Sequence, residues 1–547
     1  MSKNFFKQLD LSFLGSLVDN NLFELVKDNV DYFNKVERDT SLKITEKELL
    51  VDIFINKLIS GCFKDRKFFK QVIGSLPLVT QEKILKETGS FSIKELFENN
   101  ESLEKIESFL IEEYQVDRRF FQEEDVIDTP VNNVYYLEKP DSYYKRLKEF
   151  QTIVFFKTSE YLFNTPYSRC ILQMPTGSGK TRTSIELVCE YLNIFKKNVI
   201  WLANSEELCD QAYHSFIETW KYNAKISSGA INYKRAPDNF ERHDSPYFNV
   251  MTIQSFLKVK SLEAFEKKTG ISKEEIGLVV VDEAHISVAP TYKRAIEMLL
   301  SAGDVKLLGL TATPGRSLIK IGVEDSNKRL SDFYYNKKFE IEVENESPLD
   351  YLRKKGILSK AKFTPIVGAC ITGKLSAREI KSFKELGKYP PSVLEYLVKD
   401  QSRNYEILKE VILRCSLGKK VIFFGTSVEH SILINTLLAM KGVKSAHIDG
   451  ESGKSRQKII NDFKLGKLQV LCNYSVLSTG FDEPKVDVIV IARKTQSVVL
   501  YSQIIGRGLR GPEIGGTDSC EIISVKDNIV ELPNNEDIYN YFNEYFD

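Results

Sequence analysis

The sequence lacks the features of several protein classes. None of its eight cysteines forms a Cys-x-x-Cys pair, so neither a zinc site nor a disulfide framework is supported, and we expect no zinc. The apolar run at 11–18 is too short to span a membrane and is flanked by Asp10 and Asp19. Free thiols are typical of a reducing compartment. We therefore expect a soluble, cytoplasmic protein with no membrane partner.

Net charge is absent from the chain as a whole but not from its parts. The 547 residues carry 76 basic and 76 acidic side chains. Residues 1–140 hold 19 basic against 26 acidic side chains, which leaves them at −7 and the remainder at +7. This asymmetry favours contact of any polyanion with the second part. The length allows about three or four domains.

The first 125 residues show helical patterns and few strand signals. Thr45 and Glu48 have the spacing of a capping box ahead of an apolar periodicity, and Ser92 and Glu95 repeat it. We predict a helical accessory domain over 1–125 and a linker over 126–145. Two interpretations stay open: a docking or regulatory module that binds a partner protein, or a helical cap that covers part of the remaining chain.

The chemical centre of the sequence lies at 173–181, between an apolar strand pattern and a helical pattern. Its small residues let backbone N–H groups turn inward around a phosphate, and the helix N-terminus adds positive charge. Lys180 would reach the β- and γ-phosphates, and Thr181 would hold Mg²⁺. Met174 stands where the strict pattern has glycine. The predicted cradle comprises Thr176, Gly177, Ser178, Gly179, Lys180 and Thr181.

Two adjacent carboxylates follow a buried strand pattern further along the chain. Asp282 and Glu283 come directly after the apolar run 278–281, so they point to different sides of a strand end and can take different tasks. Asp282 would hold Mg²⁺, and Glu283 would orient and activate the water that attacks a phosphate.

Strand and helix patterns alternate through the rest of the chain. Apolar runs at 198–203, 248–253, 278–281 and 307–310 predict a parallel sheet with flanking helices over 146–340. Residues 341–400 are less regular, and we interpret them as an interdomain connection with short helices of its own. A second α/β unit over 401–547 has strand patterns but no phosphate cradle. The fold class is α/β, with two tandem units behind an N-terminal α-helical domain.

The second unit supplies a pair of arginines. Arg507 and Arg510 are three residues apart, so on a helix they share a face. From there they could reach the γ-phosphate, stabilise the charge of the transition state and make hydrolysis depend on closure of the two units. The alternative is that one of them pairs with an acidic side chain between the units.

The order and spacing of these segments resemble the superfamily 2 helicases of the DEAD/DEAH type, over about 146–525. The resemblance implies two tandem RecA-like domains that bind ATP and Mg²⁺ between them and hydrolyse ATP. The matching segments are 150–151 (Q motif), 174–181 (motif I), 203–211 (Ia), 252–254 (Ib), 282–285 (II), 311–313 (III), 423–427 (IV), 478–482 (V) and 503–510 (VI).

The resemblance also implies roles for residues outside the cradle. Gln151 would read adenine, whose donor and acceptor edges suit a side-chain amide, although a plain surface glutamine is the alternative. Gly480, Asp482 and Gln503 would complete the nucleotide site. Phosphate oxygens of a nucleic acid would be bound, without reading its sequence, by Thr252, Gln254, Thr426, Ser427 and Thr479.

Within the superfamily, the second lobe is similar to the bacterial RadD-type and the type I/III restriction-subunit-like helicases, on residues 480–484 and 505–510. RadD-type proteins carry a cysteine-rich zinc module, which this sequence cannot build. Residues 1–125 match no family that we can name.

These observations predict a nucleic-acid-dependent ATPase that acts as a DNA helicase or translocase in DNA repair, restriction or phage defence, with DNA favoured over RNA. One alternative is an ATP-dependent switch that recruits an effector protein, such as a nuclease, through residues 1–125. Another is an RNA helicase.

Overall fold

The computed structural model describes a helical domain and two α/β lobes. The described residues are 3–37, 45–58, 61–122, 146–223, 248–312, 323–371, 375–386, 389–450, 452, 455–478, 483, 485–495 and 498–529. No helix in these ranges is both long and apolar enough to cross a lipid bilayer.

The front of the chain is helical, as predicted. The Thr45 hydroxyl accepts the N–H of Glu48, and the Glu48 carboxylate accepts the N–H of Thr45. This reciprocal capping satisfies donors that the start of a helix leaves unpaired. The helices are α1 (Lys3–Phe6), α2 (Leu11–Leu17), α3 (Asn20–Glu37), α4 (Glu46–Lys57), α5 (Arg66–Gly74), α6 (Leu78–Thr88), α7 (Ile93–Glu98) and α8 (Asn100–Tyr114).

Lobe 1 is a six-stranded parallel sheet with helices between its strands. Its elements are α9 (Glu149–Asn164), β1 (Arg169–Gln173), α10 (Lys180–Phe195), β2 (Asn198–Ala203), α11 (Glu206–Asn223), β3 (Phe248–Thr252), α12 (Ile253–Phe256), α13 (Leu262–Thr269), β4 (Ile276–Asp282), α14 (Pro290–Leu300), β5 (Lys306–Thr311), α15 (Val323–Phe333) and β6 (Lys338–Glu340). The strand order is β3-β2-β4-β5-β1-β6. Every residue of β2, β4 and β5 is buried, because helices cover both faces.

Lobe 2 repeats this architecture. After α16 (Pro348–Lys354), its elements are β7 (Lys360–Ile371), α17 (Ala377–Leu386), α18 (Pro391–Lys399), α19 (Gln401–Ser416), β8 (Val421–Phe424), α20 (Val428–Met440), β9 (Ser445–Ile448), α21 (Ser455–Lys464), β10 (Val470–Asn473), β11 (Val488–Ile491), α22 (Val498–Ile505) and β12 (Ser519–Ile529). These strands form a second parallel sheet in the order β7-β12-β11-β8-β10-β9. The two-unit α/β architecture is therefore as predicted.

The segment 341–400 differs from the expected interdomain connection. It contributes β7, which pairs with β12 from Lys360 to Ile371, whereas α16 packs into the core of lobe 1. Lobe 2 thus begins at β7, earlier than residue 401. Residues of β7 alternate irregularly between buried and exposed, as an edge strand allows, so its burial differs from that of the fully buried inner strands.

The helical domain packs directly on lobe 2. Helix α3 contacts α19 and α20, helix α4 contacts α20, and the two parts share one hydrophobic core. The ring of Tyr405 lies 5.3 Å from that of Phe33. Helix α20 is buried from His430 to Leu438, because the sheet covers one side of it and the helical domain the other.

Candidate functional site between the lobes

The predicted cradle lies between β1 and α10. Gly177 and Gly179 have φ of 90° and 88°, a backbone conformation that other residues adopt only with strain. The turn they form brings the N-terminus of α10, with Lys180, to the carboxyl edge of the sheet. Met174 extends β1: its N–H donates to the Thr311 carbonyl at 3.1 Å and its side chain is fully buried. An apolar residue therefore suits this position, which follows β1 directly and precedes the turn.

The two carboxylates meet the cradle lysine. Nζ of Lys180 lies 3.4 Å from both Oδ1 of Asp282 and Oε1 of Glu283. Glu283 has φ of 59°, a costly conformation for a residue other than glycine and one that is frequent at functional sites. His285 places Nδ1 3.3 Å from Oε2 of Glu283. The carboxylate of Glu283 is therefore held between Lys180 and His285.

Burial and neighbouring charges shift the pKa values of Asp282 and Glu283 in opposite directions. Burial opposes the charge of Glu283, but Lys180 and His285 outweigh it and lower the pKa of Glu283 to about 2. Burial and the nearby Glu283 charge raise the pKa of Asp282, against the effect of Lys180. The lowered pKa keeps Glu283 charged at neutral pH, as a group that orients water requires.

Lobe 2 completes the site. A cavity of about 690 Å³ is lined by the cradle, by Asp282 and Glu283, and by Gln503, Arg507 and Arg510 of lobe 2. A Cβ atom at Gly177 would lie 2.7 Å from Nη1 of Arg510, so this guanidinium lies directly against the cradle. The structure brings the predicted arginines and the cradle to one cavity, although they are far apart in the sequence.

Residues in the connection between the lobes form hydrogen bonds with the backbone next to Arg510. Sequence reasoning missed these contacts. The buried Ser359 hydroxyl lies 2.5 Å from the Arg510 carbonyl and 2.6 Å from the Thr517 carbonyl. The N–H of Gly511 donates to the Ile357 carbonyl at 2.9 Å. The turn after Arg510 is therefore bonded to the residues where lobe 1 ends. No local pattern marks Ser359, because its partners are distant in sequence.

Gln151 is buried beside the cradle rather than lying on the surface. Its Nε2 donates to the Ser178 carbonyl at 3.0 Å, and its Oε1 accepts the Lys148 N–H at 2.8 Å. In this arrangement the amide supports the cradle and the start of α9. Its contact with adenine stays a prediction.

The predicted nucleic-acid contacts lie at strand ends, and most of their polar atoms have partners. Thr252 caps α12 by accepting the Ser255 N–H, and the exposed Gln254 donates to Asn204. The Thr426 hydroxyl donates to the Ala492 carbonyl at 3.0 Å. Ser427 is half-buried and caps α20. Thr479, Gly480 and Asp482 lie outside the described residues, and all of these roles stay predictions.

The residues proposed to hold Mg²⁺ have suitable chemistry. Thr181 offers a hydroxyl and Asp282 a carboxylate, both oxygen donors, and both side chains line the cavity. In the described ranges, no group of three or more His, Cys, Asp or Glu residues could hold a metal ion. Absence of zinc from the complete chain stays a prediction.

Fold and site together define a two-lobed, RecA-like nucleotide-binding protein. Residues 144–316 match the family model described as "Type III restriction enzyme, res subunit". Residues 403–511 match "Helicase conserved C-terminal domain". The two matches together span just over half of the chain, and it belongs to the superfamily 2 helicases, a class of ATP-hydrolysing enzymes. The predicted likeness to restriction subunits is confirmed at this level.

Individual relatives cover parts of the chain. The "51.5 kDa protein" of a Lactococcus phage (isolate 7-9) is 26% identical over 358 residues, 62% of each chain. The "Putative ATP-dependent helicase IRC3" of Saccharomyces cerevisiae is 29% identical over 259 residues, 45% of this chain and 34% of the relative. The EcoKI type I restriction enzyme endonuclease subunit of Escherichia coli is 25% identical over 389 residues, 63% of this chain and 32% of the relative. The matches therefore span between 32% and 62% of these relatives' lengths.

One solved structure is similar to part of this chain at a low level. A fragment of a putative HsdR subunit of a type I restriction enzyme from Vibrio vulnificus YJ016 has a TM-score of 0.47 and 17% identity. The likeness covers 70% of this chain and 65% of the fragment.

Proposed function

We propose that the protein is a nucleic-acid-dependent ATPase that acts on DNA as a translocase or helicase. One observation carries this proposal: Arg510 of lobe 2 lies against the phosphate cradle of lobe 1 in a shared cavity. A site built from two lobes makes ATP hydrolysis depend on their closure, which is how an ATPase moves a bound strand. The match to a restriction res-subunit model supports DNA over RNA and a role in restriction, repair or phage defence.

The residues of the cavity divide the chemistry between the lobes. Backbone N–H groups of the cradle and Lys180 bind the phosphates, and Glu283 orients the attacking water. Arg507 and Arg510 stabilise the charge that develops on the transferred phosphoryl group. Thr181 and Asp282 would hold Mg²⁺, which supplies charge neutralisation when bound.

Glu283→Gln is expected to lower the ATP turnover number by about 10²- to 10⁴-fold while ATP still binds. The amide keeps the shape of the side chain but loses the charge that attracts a proton from water. Turnover is measured by phosphate release and binding by fluorescence with a labelled nucleotide. The control is Glu342→Gln, since Glu342 is a surface carboxylate paired with Lys157. Undiminished turnover would remove Glu283 from the mechanism.

Lys180→Ala is expected to abolish productive ATP binding in the same assay. The ammonium group is the cradle's only side-chain charge among residues 176–181. Unchanged ATP affinity and turnover in this variant would contradict an ATP site at the cradle.

The proposed dependence on nucleic acid is tested by measuring ATP turnover with single- and double-stranded DNA and RNA. DNA is expected to stimulate turnover, and the concentration for half-maximal stimulation should rise with salt, because phosphate contacts release counterions. Stimulation by RNA alone would favour the RNA helicase alternative. No stimulation by any of them would exclude nucleic-acid dependence.

A second candidate function is an ATP-dependent switch that recruits an effector, such as a nuclease, through the helical domain. Its support is three apolar side chains that the domain exposes to solvent: Leu78 at 74%, Val79 at 78% and Phe91 at 94%. Exposed apolar side chains can form part of a protein interface. Under this alternative, Phe91→Ser weakens association with the effector but leaves ATP turnover intact. A loss of DNA-stimulated turnover in this variant would count against it.

A further inference from the structure

Three buried polar side chains connect the helical domain to the backbone of the loop that follows β8. They are Asn29 of α3, Asn404 of α19 and His430 of α20, and all three are fully buried. The loop, residues 425–427, lies at the carboxyl end of β8 and includes the predicted phosphate contact Ser427.

The hydrogen bonds between these residues run in one direction. The Thr426 N–H donates to Nδ1 of His430 at 3.0 Å, so the ring proton lies on Nε2, which donates to Oδ1 of Asn404 at 3.0 Å. Nδ2 of Asn404 donates to Oδ1 of Asn29 at 3.1 Å, and Nδ2 of Asn29 donates to the Leu25 carbonyl at 2.8 Å. Each bond therefore fixes the orientation of the next group.

The imidazole of His430, in this series of hydrogen bonds, is neutral. Burial and the positive charge of Arg403 lower the pKa of His430 well below its usual value, against the opposite effect of Asp527. A neutral ring has one acceptor and one donor nitrogen, and both are used here. Protonation would remove the acceptor that the Thr426 N–H needs.

A second set of bonds holds the same loop from within lobe 2. Arg403 forms a buried ion pair with Asp527, with Nε 2.8 Å from Oδ1, and its Nη1 lies 3.4 Å from the Thr426 hydroxyl. Arg403 and Asn404 are neighbours on α19. Lobe 2 thus holds the side chain of Thr426 through Arg403, while the path to Asn29 holds its backbone.

We propose that Asn29 is a positioning residue for nucleic-acid binding: through Asn404 and His430, it fixes the loop 425–427 in the place where Ser427 meets a phosphate. The proposal rests on the proposed function, since it assigns the loop to nucleic-acid binding. The helical domain then affects how the loop 425–427 binds DNA without contacting the DNA itself.

The test is Asn29→Leu in the full chain, compared with Asn56→Leu. Asn56 also bonds lobe 2 from the helical domain, through its Nδ2 at 3.4 Å from the Thr436 hydroxyl, but no side-chain hydrogen bond in the described structure continues from Thr436 to the loop. Two quantities are measured: hydrogen–deuterium exchange of the peptide that contains the Thr426 amide, and the DNA concentration for half-maximal stimulation of ATP turnover.

Asn29→Leu should speed exchange at the loop and raise the half-maximal DNA concentration about three- to tenfold, the effect of one buried hydrogen bond. The KM for ATP and the turnover number without DNA should stay as in the wild type. Asn56→Leu should change neither loop exchange nor DNA activation. Asn29→Ser, a smaller polar change, should give an intermediate effect and serves if the leucine variant does not fold.

Unchanged exchange at the loop in the folded Asn29 variants would overturn the positioning role, whatever the DNA assay gives. Faster exchange with unchanged DNA activation would overturn the assignment of the loop to DNA binding. If no nucleic acid stimulates the wild-type protein, the proposed function fails, and the assignment of the loop 425–427 to nucleic-acid binding fails with it. The exchange data then still show whether Asn29 holds the loop, so the two failures are distinguishable.

Discussion

Arg510→Ala is expected to lower the ATP turnover number by about 10³- to 10⁵-fold, the effect of removing an arginine that neutralises a transferred phosphoryl group. The effect should fall on turnover more than on ATP binding, because Arg510 comes from lobe 2, whereas the cradle proposed to bind the phosphates is in lobe 1. The guanidinium already lies against Gly177 in this structure, so no large movement is needed to reach the phosphate. Phosphate release measures turnover, and a labelled nucleotide measures binding.

Two controls separate charge, geometry and position. Arg510→Lys keeps the charge but loses the planar fork of donors, and it should recover only part of the turnover. Lys148→Ala removes a different cation at the margin of the cavity, paired with Glu513 at 3.4 Å, and should have little effect. Equal losses in the Arg510 and Lys148 variants would show that general positive charge, rather than a placed arginine, is what matters.

Removal of residues 1–125 is expected to abolish soluble, folded protein rather than to leave an active pair of lobes. Helices α3 and α4 share a core with α19 and α20, so the deletion would expose apolar surface and would leave the amide of Asn404 without the Asn29 oxygen. Large exposed apolar patches cause aggregation. Soluble yield, thermal unfolding and ATP turnover are the measurements.

The matched control for the deletion is Lys441→Ala, which removes an ion pair with Glu37 at the edge of the same interface. This pair is partly exposed, so its loss should cost at most about 1 kcal/mol. A deletion variant that stays soluble and hydrolyses ATP would instead favour the interpretation of the helical domain as a recruiting module.

The parts of the fold that the sequence predicts are those with local causes. A capping box needs residues three apart, and a buried parallel strand needs one continuous apolar run, so Thr45 and the strand before Asp282 could be recognised directly. The cradle needs glycines at fixed spacing between a strand and a helix. Arg507 and Arg510 could be linked to it through the order of motifs, although distance in the sequence hides their contact.

The features that the sequence did not predict depend on distant partners. Strand β7 is buried irregularly, and it is a strand because β12 lies beside it. In the sequence, nothing distinguishes Asn29 from other asparagines in helices. Its role depends on the hydrogen bond with Asn404, which only the structure shows. Gln151 is predicted to read adenine, and the structure adds contacts that the sequence does not show: its amide bonds the Ser178 carbonyl and the Lys148 N–H. Such roles follow from packing, which one sequence does not display.

The shared core of the helical domain and lobe 2 has a mechanical consequence. If lobe 2 rotates about the residues that join it to lobe 1, the helical domain must rotate with it as a rigid arm, because one continuous core leaves no seam between them. A rotation of lobe 2 at the cavity between the lobes would therefore also displace the helical domain. A fluorescent label on α8 (residues 100–114) would then report that rotation, although α8 lies in a different domain from the cavity.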